Sequence, residues 1–253
     1  MGVLEARYGG LGEVSGHRLS DVHPYVWPGG GELVAFLCRW PSSSRLRVAL
    51  PGDAAPVELD LWRRALAAWE GAGPGLRFVP VAPDAPADVA LSMAGAEAGR
   101  AAQTAADCAV DVEAGADRAR DTIAARLVAA HVRVSRATPD WRGHPQTLDQ
   151  DELMGTMLHE LGHALGFQGH ARRGSVMVRD VEAVRRIGAR VLAGEPFDDA
   201  TLTALYRVDS GAVVRRRRLG AGETAIVDRI AALAPARDFA GPIVRVGDRA
   251  GWI

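Results

Sequence analysis

Residues 159–170 read HELGHALGFQGH, and this segment gathers the groups best able to do chemistry. His159 and His163 are four residues apart, so on a helix both imidazoles leave the same face one turn apart and can grip one metal ion. Glu160 stands beside them, where a carboxylate can hold and deprotonate a zinc-bound water. A catalytic zinc takes three protein ligands and keeps a further position open, so a third ligand has to come from outside that turn. Gly166 lets the backbone turn sharply, and His170, just beyond it, is the candidate for that place. At the chain's own composition the His-Glu-x-x-His pattern is expected by chance about 0.01 times, and the later glycine and histidine lower this to the order of 10⁻⁴. Incidental surface histidines are the weaker explanation.

These residues need a helix to carry them. Thr147 and Gln150 have the spacing of a capping box, which predicts a helix from Leu148 to about Leu165, ended by Gly166 in a left-handed conformation. Upstream, Leu59, Trp62, Leu66 and Trp69 form one apolar stripe and predict a second helix over 56–70, stopped by Gly71, Gly73 and Pro74. Strand patterns lie at 32–40, 45–50, 76–81, 88–93 and 125–135, with an ambiguous edge strand at 102–112. Further helices are expected at 181–192 and 198–208, and the alternating segment 241–253 reads as a strand that lies either behind the domain or near the site. Strands interleaved with a crossover helix imply an α+β fold with a mixed twisted sheet, an active-site helix and a C-terminal helix. Residues 1 to about 30, rich in glycine and proline, read as an irregular arm.

The motif resembles that of the metzincin zinc metalloproteases, HExxHxxGxxH followed by a methionine turn. Here the spacing is HExxHxxGxxGH, because Gly169 inserts one position before His170. Seven residues on, GSVM (174–177) is similar to the methionine turn, which implies that Met177 forms an apolar floor beneath the zinc; taken alone, Met177 reads as core. RLRVAL, the helix ending ALAAWE, LRFVPV, ADVALSM and DDATLTALY are similar to successive elements of the matrixin branch, the matrix metalloproteinase type. The resemblance spans about residues 44–207. It implies domain limits of 1–43 for the arm, 44–208 for the zinc peptidase unit and 209–253 for a tail. It also implies a shallow cleft, an edge strand within 102–113 that pairs with an extended peptide or protein substrate, and an insertion at 178–197 that shapes specificity. The implied activity is a zinc-dependent endopeptidase in which His159, His163 and His170 hold the metal and Glu160 is the general base. Two other readings stay open: Glu182 as third ligand, as in gluzincins, and a zinc-binding interaction module with a blocked cleft and little proteolysis.

Composition removes other classes. The 253 residues carry 30 Lys+Arg against 31 Asp+Glu, so no net field draws the chain to nucleic acid. Every basic residue is arginine, which excludes lysine Schiff bases and P-loop lysines. No apolar run is long enough for a membrane span or a signal-peptide core, so cytoplasmic action and non-classical export are both compatible with the sequence. The oligomeric state is not legible. Cys38 and Cys108 allow one disulfide; Cys38 otherwise reads as a buried thiol, and the resemblance adds the thought of a zinc-capping thiolate. His131 and His144 lack partners at the spacing of a second, structural zinc. Asp111, Glu113 and Asp117 around Gly115 lack the full calcium-loop pattern, and Arg215 to Arg218 read as a solvated basic face.

Overall fold

The computed structural model describes residues 38–95, 101–107, 126–167, 175–199 and 206, and as backbone the strand segments 25–29, 32–36, 108–113, 122–125, 213–216 and 243–246. The main sheet is mixed. Strands β3 (Arg45–Ala49), β4 (Arg77–Val81), β5 (Val89–Ala94) and β7 (Thr122–Ser135) run parallel in the order β7-β5-β3-β4, and β6 (Ala102–Glu113) adds antiparallel to β7. Beyond β6, strand β11 (Ile243–Val246) extends the sheet antiparallel. A second sheet has the order β1 (Tyr25–Gly29), β2 (Glu32–Phe36), β10 (Val213–Arg216), and β8 (Ala137–Pro139) with β9 (Pro145–Thr147) forms a hairpin. Three helices complete the described elements: α1 (Pro56–Gly71), α2 (Gln150–Ala164) and α3 (Val181–Leu192). The mixed α and β content matches the α+β expectation. No helix among the described residues is long and apolar enough to cross a membrane.

α1 joins the parallel neighbours β3 and β4, and its inner stripe is Leu61, Trp62, Ala65, Leu66 and Trp69, all buried. Leu59 lies at the margin of that stripe and is only partly covered. α2 packs against α1, β6 and β7 on one side and α3 on another, which explains why every residue from Leu153 to Ala164 is buried. Buried aromatic donors tie its carbonyls down. Trp69 Nε1 donates to Leu158 O and Trp40 Nε1 to Ala164 O, both at 2.9 Å, while the Tyr206 hydroxyl donates to Leu165 O at 2.6 Å. Gly166 follows with φ +111°, and a Cβ there would lie 2.7 Å from Cys38 O, so both conformation and space require glycine.

Several local expectations are corrected. The capping box of α2 is formed by Asp149 and Glu152, not Thr147 and Gln150: Glu152 N donates to Asp149 Oδ1 at 2.8 Å, and Asp149 N donates to Glu152 Oε2 at 2.7 Å. Thr147 is held in β9 opposite Ala137, so its backbone is committed to the hairpin. Tyr25–Gly29, expected to be irregular, is a strand on the outside of β2, an edge position that tolerates Pro28. Part of the basic run, Arg215 and Arg216, lies in β10. From the segment assigned to the arm, Cys38, Arg39 and Trp40 are buried in the core. Cys38 is disulfide-bonded, and Cys108 is the chain's one other cysteine, so of the readings of Cys38 the disulfide holds and the free buried thiol and the capping thiolate do not. Of the helix expected at 198–208, the described Tyr206 is helical and the remainder of its core lies outside the described residues.

Glu58 sits on the buried stripe of α1 because two partners compensate its charge. Its Oε2 accepts from Ala55 N at 2.7 Å, and its Oε1 accepts from Arg136 Nε at 2.7 Å. The Arg136 hydrogen bond, opposed by burial, holds the Glu58 carboxyl below its ordinary range. A carboxyl with a depressed folded pKa contributes stability above its unfolded pKa and loses it as pH falls through the folded value. Glu58→Gln is therefore expected to cost about 1–2 kcal/mol at pH 7. The gap between the urea midpoints of the variant and the parent should close on acidification towards pH 3; a gap independent of pH would assign the effect to packing.

Candidate metal centre

α2 presents His159 and His163 from adjacent turns, with their Nε2 atoms 3.1 Å apart and their rings nearly perpendicular at 77°. Each Nδ1 faces a backbone carbonyl: His159 Nδ1 lies 2.7 Å from Val176 O, and His163 Nδ1 lies 2.5 Å from Phe167 O. Carbonyls only accept, so both Nδ1 atoms carry protons and both Nε2 atoms turn lone pairs into the space between the rings. Two lone pairs at that distance repel unless a proton or a metal ion lies between them. Burial pulls the His159 imidazole down to about 4, against the Val176 contact, which favours the neutral ring that binds metal. The chemistry of this donor set fits a divalent cation.

Glu160 is fully buried on the same helix. Thr104 of β6 places its Oγ1 2.5 Å from Glu160 Oε2 and 3.1 Å from the Glu160 carbonyl. Glu160 Oε1 has no hydrogen-bond partner among the described residues. An orphaned carboxylate oxygen in a buried place is costly, and that cost is a sign of a site built to meet something else. Burial pushes the Glu160 carboxyl up to about 7, and the Thr104 hydrogen bond opposes the rise. His159, Glu160 and His163 bring their ligand atoms within 4.8 Å of one another, and they are the only such group among the described residues.

The turn after α2 is held by residues distant in sequence. Asp199, fully buried, accepts from Ser175 Oγ at 2.6 Å and from Val176 N at 3.0 Å, and Ser175 Oγ accepts from Met177 N at 2.9 Å. That network fixes the Val176 carbonyl that orients His159. Met177 is buried against α2: a Cβ on Gly162 would lie 2.2 Å from its Sδ. Ser175 and Val176 belong to the segment 174–177 that resembles the methionine turn, whereas Thr104 and Asp199 are parts of the site that sequence reasoning misses. Of these two, Asp199, an acid heading an apolar helical pattern, carries a local signal.

Other candidates fall elsewhere. Glu182 lies exposed at the start of α3, 3.7 Å from Arg186, and is not brought to the histidine pair. His131 is exposed in β7 with Nε2 3.3 Å from Ser92 Oγ, and His144 lies 3.6 Å from Asp140 in the hairpin. His170 lies outside the described residues, as do Gly115, Asp117 and the side chains of Asp111 and Glu113. No protein-family model matches the chain, and no curated protein matches its sequence.

Proposed function

We propose that the chain is a zinc-dependent endopeptidase of metzincin, matrixin-like architecture, with His159, His163 and His170 as metal ligands and Glu160 as general base. The observation that carries this reading is the pair of Nε2 atoms 3.1 Å apart beside a buried carboxylate with one unpartnered oxygen. Bound there, zinc would acidify a water and polarise a substrate carbonyl. Glu160 accepts the proton of the attacking water and returns it to the leaving amine as the peptide bond breaks. Thr104 holds one carboxylate oxygen, leaving the other directed to the proton transfer. The Val176 and Phe167 carbonyls keep both imidazoles in the metal-binding tautomer. Gly166, with its positive φ, ends α2, and Glu182 lies exposed at the start of α3 beside Arg186 rather than at the histidine pair, which supports His170 over Glu182 as the third ligand.

Purified protein is expected to cleave denatured casein, to lose that activity in EDTA and to regain it on adding zinc. Cleavage indifferent to the chelator would overturn the reading. His170→Ala should lose bound zinc, measured by elemental analysis after dialysis, while Glu182→Ala keeps it; the reverse result would move the third ligand to Glu182.

Asp199 acts at one remove. Asp199→Asn keeps the volume but removes the charge that holds two buried donors, so zinc affinity should fall about tenfold or more. Stability should fall by about 2 kcal/mol. Competition against a chromophoric chelator reads the first effect and urea unfolding the second; unchanged zinc affinity would confine Asp199 to a packing role.

A further inference from the structure

β6 has two edges. β7 occupies the inner one along the whole strand, and among the described residues β11 occupies Ala106–Ala109 of the outer one. The same strand touches the candidate site through Thr104, whose hydroxyl meets Glu160. β11 runs antiparallel, with Ile243 opposite Ala109 and Val246 opposite Ala106, so the tail advances along β6 towards Thr104. A segment distant in sequence thus lies along the sheet edge that borders the candidate site.

A sheet edge offers a row of N–H and C=O groups to any extended peptide, and two strands cannot pair with the same edge at once. β11 is held by four described residue pairs, each contributing of the order of 0.2–1 kcal/mol, a hold that a second strand can contest. Its advantage is the tether, which raises its effective concentration at the edge.

We infer that the chain's own segment Ile243–Val246 is the resident, displaceable occupant of the outer edge of β6, the edge expected to receive an extended peptide, and so controls access to it. The docking inference rests on the sheet pairing; its consequence, that the tail restrains peptide cleavage, rests on the endopeptidase reading.

Successive residues of a strand direct their N–H groups to opposite edges, so one of Val244→Pro and Arg245→Pro, made in the full chain, removes an N–H aimed at β6. The probe is a fluorescein-labelled peptide of residues 241–253, GPIVRVGDRAGWI, followed by anisotropy on a Glu160→Ala background so that it is not cut. At least one proline variant should bind this peptide tenfold or more tighter than the chain with its native tail. A chain ending at Pro242 should do the same, which covers misfolding of the proline variants. In chains retaining Glu160, the tighter-binding variant should cleave denatured casein at least fivefold faster. Equal peptide affinity in all forms, including no binding in any, overturns the inference, and the peptidase reading then stands or falls on the chelator experiment. Tighter peptide binding with no cleavage by any form sustains the docking edge and rejects the peptidase reading.

Discussion

Glu160→Ala is expected to retain zinc at the parent's stoichiometry while peptidase turnover on denatured casein falls by about 10³-fold. Proton transfer by a positioned carboxylate contributes typically about 10²–10⁴-fold, and on the proposed endopeptidase reading the surroundings of Glu160 favour the strong end of that range. The carboxylate is fully buried, held at one oxygen by Thr104, and without a hydrogen-bond partner at the other. It has no other described task that would explain its place. The imidazoles are oriented without it, since Val176 O and Phe167 O hold His159 and His163, so its removal leaves their metal-binding geometry in place. Removing a buried carboxylate that lacks a full set of partners should also leave folding intact or improve it, which urea unfolding checks. Loss of zinc together with activity would make Glu160 a ligand rather than the base. Full activity would end the assignment.

The parts of this site that were legible are the parts encoded locally. His159 and His163 reveal themselves by a spacing of four on one helix, and Gly166 by its place after the apolar pattern. The parts that were not legible come from pairings across the chain. Thr104 in β6 and Asp199 beyond α3 reach the site from 56 and 23 residues away from their partners Glu160 and Val176, and no local period records such contacts. Trp40 and Tyr206 look like ordinary core aromatics in sequence, yet each donates to a carbonyl at the end of α2. The cap of α2 shows how local rules compete: Thr147 satisfies the capping pattern, but the β8–β9 hairpin claims it, and Asp149 supplies the cap two residues later. Glu58 is illegible for the opposite reason: a charge on an apolar stripe makes sense only with Arg136 against it.

Gly188→Ala is expected to destabilise the protein by about 2–3 kcal/mol, although alanine is the better helix former by about 1 kcal/mol. The sign is decided by the distance between α2 and α3. A Cβ at Gly188 would lie 2.2 Å from Asp151 O and 2.5 Å from Gly155 N, and a Cβ at Gly155 would lie 2.4 Å from Val184 O. These neighbours are backbone atoms and cannot rotate aside, so the helices must separate. Separation also pulls on the ion pair between Arg185 and Asp149, 3.0 Å long, which ties α3 to the cap of α2. Because α2 continues directly to His159 and is buried from Leu153 onward, a shift of its first turns is passed to the His159–His163 pair. Zinc affinity should therefore fall together with stability. Gly71→Ala is the contrasting substitution: it closes α1, its Cβ would meet nothing within 4 Å, and helix propensity alone should leave it neutral or stabilising. Urea midpoints of the two variants, with zinc competition on the first, check the argument; a Gly188→Ala protein as stable as its parent would show that α2 and α3 can part without cost.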